Sequence, residues 1–283
     1  MKKIDKSIGH NFRKLRESKG FSGPEVCDGI AAKSTLSRWE NGKSNLSVNL
    51  FYKFLDRIHA TPEDVMPQKE DISDFIDSVS LLFMHNDIKG LYEKAKQSLV
   101  MYSQSKTDKD LLCAAMASNF YFDLTNINLI DNSFKEDISS KVRKIKSWQE
   151  SDLILFANTQ FLLDASLIYR LARELASFDF EKEVVPTMEM ETLLNSIYTL
   201  IRKKDVMRAK KLFRSVKQLE YSLNNQSIEY KEKFYDLLLH YIDRPNPIKI
   251  KQFLTSISNS RSGNQLAADL NFSFQQVREI YKI

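Results

Sequence analysis

Hydrophobic residues recur at helical spacing through most of the chain, and the alternating pattern typical of strands is absent from the sequence. Near the N-terminus, apolar residues repeat every three or four positions from Ile8 to Leu15, and Gly20 is placed to end that helix. Ser22 and Glu25 then have the Ser-x-x-Glu spacing of a capping box, which opens a second helix. The first residues therefore predict short helices joined by tight turns.

A third helix is predicted over about Lys33–Asn41, with Leu36 and Trp39 facing inward. Its other face is polar and carries Lys33, Ser34, Ser37 and Arg38. Ala32 lacks the hydroxyl that usually caps such a helix, so we expect the helix to begin one or two residues later. A fourth helix is predicted over about Leu46–Ile58.

Proline and polar residues at Pro67–Asp71 predict a linker between two domains, 1–67 and 68–283. The second domain has few helix-breaking residues, which favours long helices. Its apolar helical segments are predicted at 72–79, 88–99, 111–122, 153–163, 167–175, 193–201, 206–216 and 234–242.

Two short segments of the second domain interrupt apolar helices in a similar way. They are His85-Asn86-Asp87-Ile88-Lys89 and Lys203-Lys204-Asp205-Val206-Met207, and each precedes an amphipathic, lysine-rich segment. Helical hairpins with such a turn are typical of tetratricopeptide-like stacking, which forms a curved array with a concave binding face. An irregular helical bundle is the alternative. The fold class expected from these patterns is all-α.

The basic residues are unevenly distributed along the chain, although the formal net charge is only +5. Residues 1–66 contain 12 Lys and Arg against 8 Asp and Glu, whereas the remainder contains 30 against 29. The excess positive charge therefore lies where a polyanion such as DNA would be bound. The N-terminus lacks a signal peptide, and no apolar run is long enough to span a membrane. We therefore expect a cytoplasmic protein without membrane association.

Candidate catalytic and metal-binding patterns are missing from the sequence. The four histidines lie far apart, and neither a phosphate-binding glycine loop nor a nucleophile motif is present. Cys27 and Cys113 are isolated, which fits a reducing compartment and predicts neither a disulfide nor a zinc site. We therefore expect no enzyme, no cofactor and no metal.

The string from Leu36 to Ser44, together with Arg16, Gly20 and Gly42 at the appropriate spacing, resembles the Xre/Cro-type helix-turn-helix of phage repressors. The resemblance runs from about Ile8 to Val65 and implies binding to double-stranded DNA. By this resemblance, the expected DNA contacts are Arg13, Lys33, Ser34, Thr35, Ser37, Arg38, Lys43 and Asn45.

Within that set the expected roles differ. Arg38 is the candidate for a bidentate contact to guanine, while Lys43 and Asn45 match positions that usually contact phosphate. Arg16 and Glu40 match a structural ion pair of the family rather than DNA contacts. One departure from the family pattern is Gly23, where many relatives have a glutamine that holds a phosphate.

The stretch Trp148-Gln149-Glu150-Ser151-Asp152-Leu153-Ile154-Leu155-Phe156-Ala157-Asn158 and the overall length resemble the Rgg/GadR/MutR transcription regulators. The resemblance implies a homodimer and, as in several members, a short intracellular peptide as ligand. Asn158 and Asn195 match asparagines that relatives direct into the concave groove, although each could instead cap a helix or face solvent. Phe161, Tyr198 and Tyr235 could line that groove or belong to the core.

The function expected from these features is sequence-specific DNA binding by a dimeric regulator that senses a peptide pheromone. The alternative is a helix-turn-helix repressor whose helical domain only dimerises or recruits a protein partner. The apolar stretch from Leu266 to Tyr281 could cap the array or bury a dimer seam.

Overall fold

The computed structural model describes residues 7–66, 72–178, 185–221, 226–259 and 263–283. Within these ranges the regular elements are helices, and the only extended pairing is an isolated bridge between Val185 and Tyr221. The chain divides into two compact units, Met1–Asp74 and Phe75–Ile283. The predicted linker Pro67–Asp71 lies outside the described residues. None of the helices in the described ranges is both long and apolar enough to cross a membrane.

In its described residues 7–66, the first unit contains five short helices around one aromatic core. They are α1 (Ser7–Ser18), α2 (Gly23–Cys27), α3 (Lys33–Glu40), α4 (Val48–Arg57) and α5 (Pro62–Val65). The core centres on Trp39, whose ring lies 5.1 Å from that of Phe12 and 6.4 Å from that of Phe54. Because rings from α1, α3 and α4 meet there, burial of these three side chains fixes the three helices relative to one another.

The boundaries of these helices follow from their caps. Ser22 and Glu25 form the predicted capping box at the start of α2. Ser47 accepts a hydrogen bond from the backbone of Leu50, so α4 begins after Ser47 and two residues later than predicted. The predicted late start of α3 is wrong, since the helix begins at Lys33 although Ala32 provides no side-chain cap. Packing of its inward face outweighs the missing cap.

The second unit consists of eleven helices in the described residues. They are α6 (Ile72–Met84), α7 (Ile88–Ser105), α8 (Asp108–Thr125), α9 (Asn132–Val142), α10 (Glu150–Ala157), α11 (Ala165–Ala176), α12 (Thr187–Arg202), α13 (Val206–Val216), α14 (Gln226–Asp243), α15 (Ile248–Ser258) and α16 (Gly263–Tyr281). Helices adjacent in sequence pack against each other, as in α7 with α8, α12 with α13 and α15 with α16. Helix α12 also contacts α10, α11, α14 and α16, so it forms the centre of the unit.

The two repeated segments noted in the sequence adopt the same turn. Asn86 and Lys204 both have positive φ, at 53° and 62°. The following aspartates, Asp87 and Asp205, each cap the next helix by accepting a hydrogen bond from the backbone N–H three residues on. Each aspartate N–H also donates to a carbonyl five residues back, which closes the preceding helix. The hairpins α6–α7 and α12–α13 therefore share one local structure, as expected of a helical repeat.

One predicted helix is broken in the structure. The segment 153–163 contains the end of α10 at Ala157 and then a short 3₁₀ helix, Gln160–Leu162. The side chain of Asn158 donates to the carbonyl of Ile154 at 2.8 Å and so closes the last turn of α10. Apolar periodicity continues across this break, which is why the sequence pattern did not reveal it. The pattern also did not predict α9 or α15.

Candidate functional site

The exposed face of α3 forms a polar surface in the first unit. Leu36 and Trp39 are buried, whereas Lys33, Ser34, Ser37 and Arg38 are exposed and Thr35 is half-buried. Neither the Lys33 nor the Arg38 side chain has a hydrogen bond or ion pair to another described residue. This helix therefore presents two unpaired cations and several hydroxyls on one face, a composition suited to the edges of bases in a major groove.

Arg16 and Glu40 lie together beneath this face. Arg16 Nε and Nη2 donate to the two oxygens of Glu40 at 2.8 and 3.1 Å, and Nη1 donates to the carbonyl of Phe21 at 2.7 Å. The side chains are only 8% and 7% exposed, and the hydrogen bond that Arg16 donates to Glu40 raises the pKa of Arg16 above its already high value. The pair thus ties α1 to the C-terminal end of α3 and leaves neither residue free to contact DNA.

The remaining predicted DNA contacts lie on either side of α3 in the sequence. Lys43 and Asn45 are exposed just after α3. Arg13 is also exposed, but its Nε donates to Glu17 at 2.9 Å, so a phosphate would compete with that carboxylate for the guanidinium. An exposed ion pair of this kind is weak, and such competition costs little.

Gly9 is a structural residue that the sequence reasoning did not identify. A Cβ placed on Gly9 would meet the carbonyl oxygen of Trp39 at 2.3 Å, because α1 lies directly against the backbone of α3. Glycine is thus required here for a close helix–helix approach rather than for a turn. The isolated Gly9 in a helical pattern was the available signal.

The second unit contains a groove of about 710 Å³, within the size range of ligand-binding pockets. Helix α16 forms one long wall, and α14, α12, α8 and the end of α6 contribute the rest. Its aromatic lining residues are Phe83, Tyr198, Tyr230, Tyr235 and Phe272. The described lining therefore combines these aromatic rings with a larger number of polar and charged side chains.

Two polar side chains of the groove have no hydrogen-bond partner among the described residues. Tyr235 is only 4% exposed, and its ring stacks on that of Tyr198 at 5.9 Å. The Tyr235 hydroxyl has no hydrogen bond to any described residue. The exposed side chain of Asn195, one turn before Tyr198 on α12, is likewise unpartnered in the described part of the chain. Unpaired amide and hydroxyl groups beside aromatic rings can hydrogen-bond a peptide backbone whose side chains pack on those rings.

A buried ionic cluster lies beside the groove. Arg202 donates to the carboxylate of Asp123 and to Asn126, and its guanidinium lies 4.5 Å from the centre of the Phe161 ring. Burial raises the pKa of Asp123 to about 6, against the opposing effect of Arg202. Gln276 of α16 donates to the carbonyl of Asp123 at 2.5 Å and accepts from the Tyr198 hydroxyl at 2.6 Å. These contacts connect α8, α12 and α16 on the side of the unit that lines the groove.

The two predicted ligand-binding asparagines are not brought together. Asn195 lines the groove, whereas Asn158 is not among its lining residues. Phe161 is buried in the core and Tyr198 and Tyr235 serve both the core and the groove. No group of His, Cys, Asp and Glu side chains able to hold a metal ion occurs within the described ranges.

The sequence family follows from a match to the second unit. The model for the C-terminal domain of the HTH-type transcriptional regulator Rgg matches residues 93–266, more than half of the chain. The chain belongs to the Rgg family of transcriptional regulators. No curated protein sequence matches the chain.

Solved structures of the same architecture support the fold. The SHP pheromone receptor Rgg2 of Streptococcus dysgalactiae aligns with a TM-score of 0.55 and 15% identity, over 95% of this chain and 99% of the receptor. The PrgX/iCF10 complex aligns with a TM-score of 0.52 and 12% identity, over 98% of each chain. At these identities the likeness shows the fold, a helix-turn-helix unit followed by a helical-repeat unit.

Proposed function

We propose that this Rgg-family protein is a dimeric, cytoplasmic regulator that binds specific operator DNA through α3 and a short peptide through the groove. The observation that carries the proposal is the exposed face of α3, on which Lys33 and Arg38 are unpaired. A dimer would place two such helices about one DNA turn apart, roughly 34 Å, on a near-palindromic site. Ser34, Thr35 and Ser37 would supply further contacts to base edges, and Arg13, Lys43 and Asn45 would contact phosphates.

The DNA-binding part of the proposal is tested by selection from a pool of random double-stranded DNA with the full-length protein. We expect the wild type to enrich one recurrent, near-palindromic sequence. Arg38→Ala should relax or abolish that preference, at about 1–3 kcal/mol per lost base contact. Lys53→Ala serves as the control, because Lys53 is an exposed cation on α4 outside the recognition helix. Failure of the wild type to enrich any sequence would refute the proposal.

Peptide binding is supported by the unpaired polar groups and aromatic rings of the groove. Rgg2 is described as a pheromone receptor, and PrgX in the aligned structure is in complex with iCF10. A peptide can change promoter output only if it binds two states of the protein with different affinity. In this proposal Asn195 contacts the peptide backbone. Asn158 also stays a predicted peptide contact, although its side-chain amide donates to the last turn of α10 in the structure.

The peptide-binding part is tested by selection from a displayed library of random linear octapeptides on immobilised full-length protein. An enriched peptide should bind Asn195→Ala about fivefold more weakly, as expected for one net hydrogen bond of about 1 kcal/mol. Asn158→Ala, measured in parallel, separates the two asparagines. Copurification of a stoichiometric protein partner with no enriched peptide would instead favour the alternative, in which the helical unit recruits a protein or only dimerises.

A further inference from the structure

Among the described residues, some charged residues of the groove form ion pairs, and one does not. Three of its described lining residues carry charge: Asp123, Lys231 and Asp269. Asp123 is paired with Arg202, and Lys231 is paired with Glu191 at 2.5 Å. Each of these pairs is neutral as a unit, so neither leaves a net charge for a ligand to meet.

Asp269 is the exception. It is exposed on the α16 wall, and its carboxylate accepts one hydrogen bond, from the side-chain amide of Gln265 at 2.9 Å. No cation pairs with it within the described ranges. The described lining of the groove therefore carries one uncompensated negative charge, located on a wall that also bears Phe272.

A second, independent feature of the same groove also points to a ligand. The Tyr235 side chain is more than nine-tenths buried and lines the groove, and no described residue forms a hydrogen bond with its hydroxyl. The hydroxyl oxygen is not among the fully buried atoms that lack a partner, so it reaches the groove and is available to a ligand carbonyl. The groove thus offers a hydrogen-bond donor at Tyr235 and a carboxylate at Asp269.

We propose that the groove selects peptides that carry a cationic group, which is received by Asp269 while the Tyr235 hydroxyl donates to a peptide carbonyl. The cation is an ammonium or guanidinium, from a lysine or arginine side chain or from the peptide amino terminus. Apolar side chains of the same peptide pack on the tyrosine and phenylalanine rings. This inference rests on the proposed function, since it specifies which peptides the groove accepts.

The experiment uses the displayed octapeptide library on the full-length protein, followed by anisotropy measurements with the best binder. The library should become enriched in Lys and Arg relative to Asp and Glu. The binder is then synthesised with an acetylated amino terminus, with norleucine in place of its cationic side chain, and with both changes. These arms distinguish the two sources of the charge. Loss of the relevant cation should weaken binding about fivefold, and less at 0.5 M NaCl.

Protein variants show where the cation is bound. In Asp269→Asn the cationic and neutral peptides should bind equally, and Asp269→Lys should turn the enrichment towards acidic peptides. Glu279→Gln, which removes an exposed acid from the same helix outside the groove, should retain the preference. Tyr235→Phe should weaken every groove-bound peptide by about two- to fivefold.

The outcomes separate this inference from the function on which it rests. Enrichment of peptides without a charge preference, with affinities unchanged in Asp269→Asn, would overturn the inference and leave peptide binding standing. Equal loss of the preference in Glu279→Gln would overturn Asp269 as the receiving group. Absence of any enriched peptide with the wild type would overturn the inference together with the proposed peptide function.

Discussion

Each unit contains a buried pair of an arginine and an acid, and the two pairs differ in what surrounds them. Arg16 and Glu40 form a closed contact in which both carboxylate oxygens are paired and both side chains are under 10% exposed. Asp123 is 19% exposed and lines the groove, and Arg202 has a buried Nε without a partner in the described residues. The first pair fixes the helix that presents the polar face. The second borders a cavity, where a ligand can change its surroundings.

The comparison is tested most strongly by removing one arginine at a time. Arg16→Met leaves the Glu40 carboxylate buried and unpaired, so we expect the first unit to lose about 3–5 kcal/mol of stability. Arg202→Met should destabilise the second unit less, because Asp123 already has a raised pKa and can take up a proton. Hydrogen exchange measured on peptides from 7–66 and from 75–178 distinguishes the two units. Arg13→Met, which breaks an exposed pair, serves as the control.

The close approach of α1 and α3 is tested by Gly9→Ala. The added methyl would overlap the carbonyl of Trp39 and force the helices apart, at about 1–3 kcal/mol. Gly23→Ala is the matched control, since its Cβ would meet only a Leu36 methyl group at 3.9 Å. Thermal unfolding should show a lower transition temperature for the first variant alone. Equal stability of the two variants would contradict the proposed close contact.

The pH dependence of the second unit tests the environment of Asp123. Its pKa rises from 3.8 to about 6 in the folded protein, so this carboxyl stabilises the fold below about pH 4, and that contribution disappears as the pH rises through 6. Between pH 4 and 7, the free energy of unfolding of Asp123→Asn should therefore rise by about 2 kcal/mol relative to that of the wild type, allowing for the partial exposure of Asp123.

Denaturant unfolding across that pH range measures the difference. The control is Asp243→Asn, which removes an exposed ion pair with Lys210. Its free energy of unfolding should differ from that of the wild type by the same amount across the pH range. A difference for Asp123→Asn that changes in the opposite direction would mean that attraction to Arg202 outweighs burial.

The smallest expected effect concerns α3, which has no side-chain cap at its start. Ala32 has the extended backbone of a cap residue, with φ −69° and ψ 140°, but no side-chain oxygen. Ala32→Ser should therefore stabilise the first unit by about 1 kcal/mol. Ser22→Ala, which removes the existing capping box, should destabilise the unit by a similar amount. Thermal unfolding of both variants measures the change. No gain from Ala32→Ser would show that packing alone sets the start of α3.

Local sequence patterns were enough to predict the all-α fold, the helix-turn-helix and the polar face of α3. These features depend on local spacing, since Leu36, Trp39 and Arg38 belong to one short helix. The family followed from the same kind of local evidence, extended over the longer Rgg-like region. The repeated turns at Asn86 and Lys204 were also visible, because their capping aspartates follow immediately in the chain.

The groove and its chemistry depend on how distant helices pack together. Asp123, Tyr198, Tyr235 and Asp269 come from four helices, and periodicity in one helix carries no information on which residue of another helix it meets. The contact between Gln276 and Asp123 joins positions 153 residues apart. For the same reason, Asn195 and Asn158 looked alike in the sequence, and folding placed one in the groove and the other at the end of its own helix.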